Sequence, residues 1–300
     1  MSEPGNITST GIGLTRYRIV AWCAFVSLYL IIVTGSLVRL TGSGLGCVDW
    51  PACNEERFVD VTSTHAAIEQ INRLFTGVVA ASVIVAALAA LAIRPRNRQI
   101  GRFASLLVVG VIGQVVLGGI VVLTGLHPLA NMGHFVLSVL LMTWAYWLLV
   151  EVRRARDGRP FQLTAEPVTT LLVRGLVVLV AIAIVTGTVV TGSGPHAGDE
   201  TAMRFPFLLT TVARIHGGSV LVTLVCAVLL GVVLRGSTRV ELRRAFETFL
   251  FVALLQAGVG YLQYFTGVPI LLVAVHIALS IAVWLCALRL NGRLYEVVAH

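Results

Sequence analysis

Long apolar stretches separated by short polar loops set the pattern of this chain. Eight of them, at about 17–40, 66–93, 103–124, 129–150, 168–192, 207–234, 246–266 and 268–290, are long enough for an α-helix to cross the hydrocarbon core. The runs are uninterrupted, which excludes a transmembrane barrel, whose strands alternate over about 10 residues. The first residues are polar and rich in Gly, Ser and Thr. The apolar run that follows is too long for a signal h-region. We expect no cleavable signal peptide, a disordered tail over 1–16 and then a permanent span.

The pattern repeats. Gln114, Thr124-Gly125, His134 and Ser138 are matched at identical spacing by Gln256, Thr266-Gly267, His276 and Ser280. Thr34-Gly35 and Thr41-Gly42-Ser43-Gly44 correspond to Thr186-Gly187 and Thr191-Gly192-Ser193-Gly194. Asn72 falls opposite His216. An even number of spans per copy makes the repeats parallel, related by a pseudo-two-fold axis along the membrane normal. The predicted fold class is an all-α integral membrane protein of eight helices in two four-helix bundles. The first bundle takes 17–152, with a long loop at 41–65. A linker covers 153–167, and the second bundle takes 168–300.

Composition agrees. Of 300 residues, 57% are hydrophobic and only 12% charged, where a soluble domain carries about 25%. A formal charge of +8 would suggest nucleic acid in a soluble protein. Here the basic residues are all Arg, gathered in alternate loops: Arg94 to Arg102, Arg153 to Arg159 and Arg235 to Arg244. That is a topogenic distribution, with no nucleic-acid partner. It places both termini in the cytoplasm and the acidic loops outside.

A few polar groups interrupt the apolar runs, and such groups are costly in a membrane. Glu69, Asn72 and Arg73 open the second span, with Glu69 and Asn72 on one helix face. Ala213-Arg214-Ile215-His216 is the corresponding stretch. His216 and His276 lie at similar depth on two helices of one bundle, which suits axial ligation of a heme iron. The alternative for any single imidazole is a hydrogen bond between helices. The first half offers His134 but Asn72 in place of the second imidazole. Glu69 is a candidate proton acceptor or, alternatively, a partner for Arg73. Arg39, Arg73, Arg204 and Arg214 suit carboxylates such as heme propionates, or else snorkel to the interface. Cys47 and Cys53 share an extracytoplasmic loop in which Pro51 favours a turn, so a disulfide is expected against two free thiols. Cys23, Cys226 and Cys286 read as small packing residues. His65, His127 and His196 read as loop residues. Gly113, Gly118, Gly119, Gly258 and Gly260 permit either close helix approach or room for a flat macrocycle.

Several of these stretches together resemble the heme A synthase family. They are Thr41-Gly42-Ser43-Gly44-Leu45-Gly46-Cys47 with Asp49-Trp50-Pro51 and Cys53, then Thr191-Gly192-Ser193-Gly194-Pro195-His196-Ala197-Gly198-Asp199, then His216 with His276. The resemblance implies oxidation of a ring methyl of heme O to a formyl group through hydroxylated intermediates. It implies a heme b cofactor on His216 and His276, beside which we place Arg214. It also implies a heme O site in the first half with His134, a catalytic Glu69 and a Cys47–Cys53 disulfide; our reading of the residues adds Asn72 and Arg73 to that site. The implied location is the plasma membrane, with the heme sites near the extracytoplasmic face. Heme O synthase and cytochrome oxidase assembly factors are the implied protein partners, besides membrane lipid and an oligomer left open. One departure stands out: the family commonly has Glu-x-x-His where this chain has Glu69-x-x-Asn72. The rival readings are a non-catalytic di-heme electron-transfer or heme-carrier protein, and a transporter built on parallel repeats. The first predicts two alike sites and the second midplane polar groups, neither of which this pattern shows.

Overall fold

The computed structural model describes residues 12–158 and 161–297. Eight helices dominate: α1 (Leu14–Leu40), α2 (Thr64–Leu91), α3 (Arg98–Leu123), α4 (Pro128–Asp157), α5 (Pro167–Ser193), α6 (Leu209–Leu234), α7 (Val240–Phe265) and α8 (Ile270–Gly292). All eight are long and apolar enough to cross a membrane. Their ends follow local chemistry. Ser63 caps α2 by accepting from Ala66 N, and Asn97 caps α3 by accepting from Gln99 N and Ile100 N. Proline opens α4 and α5, where its missing N–H costs nothing. Gly158, in the left-handed region at φ 64°, ends α4.

Helix neighbours confirm the duplication. Within the first half α1 packs on α2 and α4, and α3 on α2 and α4; α5 to α8 repeat that ring. The halves meet through α1 on α8, its counterpart α4 on α5, and α4 on α8 at the pseudo-axis. A matching detail lies at the loop end. Leu126 and Val268, each following a left-handed glycine, have φ 62° and 61° and donate back to Val121 O and Gln263 O. Large apolar side chains such as Leu88, Leu221 and Phe265 point outward, as a surface solvated by lipid requires.

Three details differ from the sequence expectation. Of the tail predicted over 1–16, residues 1–11 lie outside the described part, and 14–16 belong to α1. The predicted linker is partly ordered. Residues 153–157 extend α4, and β1 (Phe161–Leu163) pairs antiparallel with β2 (Tyr295–Val297). Arg239 pins this pair through Glu296, Thr164 Oγ1 and Arg293 O. Apolar run lengths cannot foresee such polar extensions. Cys226 and Cys286 are partly buried, but Cys23 is exposed on α1 and not packed inside.

Candidate functional site

The second half brings His216 of α6 and His276 of α8 close together. Their ring centroids are 6.3 Å apart and the ring planes nearly perpendicular, at 88°. A metal–imidazole bond is about 2.0–2.1 Å and the ring nitrogen lies about 1.2 Å from its centroid, so one ion between two rings requires about 6.4 Å. The observed gap fits one iron. Among the described residues no group of three or more His, Cys, Asp or Glu gathers as a metal site. Two facing imidazoles suit a metal whose remaining ligands come from a macrocycle.

Neighbouring residues hold the rings. Thr186 Oγ1 is 3.2 Å from His216 Nδ1 and 3.1 Å from Ser219 Oγ. The hydroxyl proton of Thr186 has Ile182 O at 2.9 Å as acceptor. This leaves its lone pairs for His216 Nδ1–H, and Nε2 free as a ligand. Gln256 Nε2 donates to His276 O at 2.9 Å and lies 3.3 Å from His276 Nε2. His276 Nδ1 is buried without a partner. Two glycines make room. A methyl group on Gly187 would stand 3.2 Å from His216 Cε1, and one on Gly260 2.9 Å from His276 Cε1. Alongside runs an apolar groove of about 470 Å³, lined by Val177, Ala181, Val185, Thr186 and Trp284 among others. Arg214 is exposed near the N-terminal end of α6 and has no polar partner among the described residues.

The first half repeats the frame with other chemistry. Gln114 Nε2 donates to His134 O at 3.0 Å and Ser138 Oγ at 2.7 Å. Gly118 faces His134 and Gly35 faces Asn72, as Gly260 and Gly187 face the second-half imidazoles. His134 Nδ1 and Asn72 Oδ1 are both buried and unpartnered. Orphaned polar atoms at matching places in the two halves call for an occupant.

Glu69 is drawn away from solvent, and both its oxygens are engaged. Oε2 accepts from Cys47 N at 2.8 Å; Oε1 accepts from Arg73 Nε at 3.0 Å and Nη2 at 2.6 Å. Arg73 spends its other amino group on Asp49 O and Ala52 O, both at 3.1 Å. The pair therefore clamps the loop whose two ends, Cys47 and Cys53, sit at disulfide distance, with sulfurs 2.03 Å apart. Trp50 of that loop packs on Gly119 of α3, next to Gly118 and His134. Of the three histidines read as loop residues, His65 in fact lies in the first turn of α2, and all three have local work. His65 Nδ1 is 2.9 Å from Ser43 Oγ, His127 caps α4, and His196 Nε2 is 2.8 Å from Val268 O. Asp199, whose carboxyl is held below the ordinary carboxylate range by hydrogen bonds from Thr201, also attracts His65.

The structure thus brings together His216 with His276, and Glu69 with Arg73 and the Cys47–Cys53 loop. The function of Thr186, Gly35 and Gly187 is not readable from sequence, although Thr34-Gly35 and Thr186-Gly187 surface there as repeat markers; Gly118 and Gly260 do read there as making room for close approach or a macrocycle.

Fold and site define a duplicated eight-helix membrane protein with a paired-imidazole site in one half only. A sequence model of the COX15-CtaA family, described as cytochrome oxidase assembly protein, matches residues 18–288. The chain belongs to that family. A heme A synthase of Geobacillus thermodenitrificans is 34% identical over 131 residues, 43% of this chain and 40% of that protein. One from Geobacillus kaustophilus is 33% identical over 133 residues, 43% of this chain and 40% of that protein. One from Listeria welshimeri is 31% identical over 140 residues, 45% of this chain and 46% of that protein. The aligned part thus spans less than half the length of these curated relatives.

Proposed function

We propose that this chain is a heme A synthase, oxidising a ring methyl of heme O to a formyl group through hydroxylated intermediates. The observation that carries the reading is the asymmetry of two repeated frames. One half holds His216 and His276 at the spacing of a six-coordinate heme; the other has His134, with Asn72 at the place equivalent to His216. The first suits a resident heme b, which supplies electron transfer. The second suits a substrate: His134 provides a single ligand, and Asn72 leaves the other face open or offers Oδ1 to a water. Arg214, two residues before His216 and exposed, is our candidate guanidinium of the second half for a heme propionate.

Glu69 stands one turn from Asn72 and is the only carboxylate on α2. Its proposed role is to take up a proton released as the methyl is oxidised. The clamp to Arg73 and Cys47 N sets where that carboxylate stands. Arg73 acts on the substrate site through Glu69 and the loop. The expected location is the plasma membrane, both termini inside, with the heme sites toward the outer face. Heme O synthase and oxidase assembly factors remain the proposed partners.

The test is to extract hemes from membranes lacking and then expressing this chain, and to separate them chromatographically. Consumption of heme O with appearance of hydroxylated heme and heme A supports the reading. Unchanged heme O refutes it, and heme bound without conversion favours the heme-carrier alternative.

A further inference from the structure

The loop end of the bundle holds a cation that neither site above has used. Arg39 lies in the last turn of α1. Its Nη2 donates to Thr191 O at 2.7 Å, across the seam between the halves. Its Nε is buried without a partner. No carboxylate among the described residues pairs with it. The charge that acts on it is a like one, Arg204, whose own donors go to Gly194 O and Pro195 O, both at 3.1 Å. Arg39 is only partly exposed, and a partly buried cation without a counter-ion is costly, so the arrangement is short of an anion.

Its position says which anion. Thr191 lies one turn beyond Gly187 on the same face of α5, about 6 Å further out. Gly187 is the residue that backs the His216 ring. From the other side Leu40, next to Arg39, packs with Val273, Ala274 and Ile277 of α8, which bracket His276. Arg39 is therefore anchored at the loop end of α5 and beside α8, the helices that back His216 and carry His276, on an arm that comes from the opposite half.

We propose that Arg39 binds a carboxylate of the second-half ligand, taking a porphyrin propionate. It completes from α1 a site whose imidazoles come from α6 and α8. The inference rests on the reading of His216 and His276 as heme ligands. A planar fork with free donors matches a carboxylate where a point charge does not. It also makes the site a product of both halves.

The test compares uptake of protoheme and its dimethyl ester by the full-length chain in detergent, followed through the Soret band. The wild-type chain is expected to prefer the free acid by about 10- to 100-fold, the size of a charge-assisted bond. Arg39→Gln is expected to reduce that preference at least several-fold while the spectrum of two axial imidazoles stays. If Arg39→Gln does not accumulate, Arg39→Lys serves: it keeps the charge, loses the fork, and should shrink the preference. No preference in the wild-type chain, or an unchanged one in the variant, overturns the proposal. A heme spectrum that survives loss of both His216 and His276 refutes the site itself, and the proposal with it.

Discussion

Replacing Arg73 by Met removes the cation from a buried pair and keeps most of the side-chain volume. Glu69, only 5% exposed, would keep one backbone donor, Cys47 N, and lose two bonds to Oε1. Asp49 O and Ala52 O would lose theirs. Breaking a fully buried pair costs about 3–5 kcal/mol, and Arg73 retains some solvent contact, so about 2–3 kcal/mol is the working figure. That weight falls on the loop, since both backbone bonds of Arg73 end there. Cys47 and Cys53 are at most 1% exposed, so a reductant reaches them only when the loop opens. Opening should become about 30- to 150-fold more frequent. The assay is timed reduction in membranes with a soluble phosphine, quenched by a mass-tagged maleimide and read as a gel shift. Equal reduction rates in wild type and Arg73→Met would show that the clamp does not hold the loop, and that Glu69 is fixed by other means.

Other outcomes follow from the same contacts. His216→Ala and His276→Ala should each abolish the spectrum of a two-imidazole heme, read in purified protein, whereas His134→Ala should leave it. Asn72→His should convert the substrate-loaded form to a two-imidazole spectrum; an unchanged spectrum places the substrate elsewhere. Thr186→Val keeps shape but loses the bond to His216 Nδ1, and heme retention should fall about 10- to 100-fold in competition with apomyoglobin. Gly260→Ala should displace His276 and cost about 1–3 kcal/mol in thermal stability of the loaded protein. Gly118→Ala should be tolerated, because its methyl would meet His134 Cε1 at an ordinary 3.6 Å.

Much of this was legible because membranes simplify the code. Span number and duplication follow from run length and from markers such as Gln114 and Gln256, and the structure sets those markers against the backbone of His134 and His276. The His216–His276 pairing was readable from equal depth on two helices of one repeat. What stayed hidden was direction. Glu69 and Asn72 share a helix face, yet Glu69 turns outward to the loop because Cys47 N and Arg73 meet it there. The i,i+4 spacing allows the pair with Arg73, but nothing in it reveals the bond from Cys47 N or the loop that both residues hold. Helix ends were misplaced where polar residues continue a helix past the apolar run, as at Arg153 to Asp157 and at the start of α7. The β1–β2 pair joins segments far apart in sequence and too short to carry a pattern of their own.

The seam between the halves has a handedness of its own. Trp284 Nε1 donates to Thr143 Oγ1 at 2.8 Å, and Tyr29 Oη to Ala278 O at 3.0 Å. The repeat puts Met142 and Leu285 at the places equivalent to Trp284 and Thr143, and Ala181 at that of Tyr29. Each bond is therefore made once, in one sense only. Two copies of the second half joined as a homodimer would leave each buried indole N–H facing Leu285, at about 1–3 kcal/mol per copy. The molecule is built like a symmetric dimer, but its seam bonds are those of two different partners joined in a single chain, and the second half cannot stand in for the first without losing them.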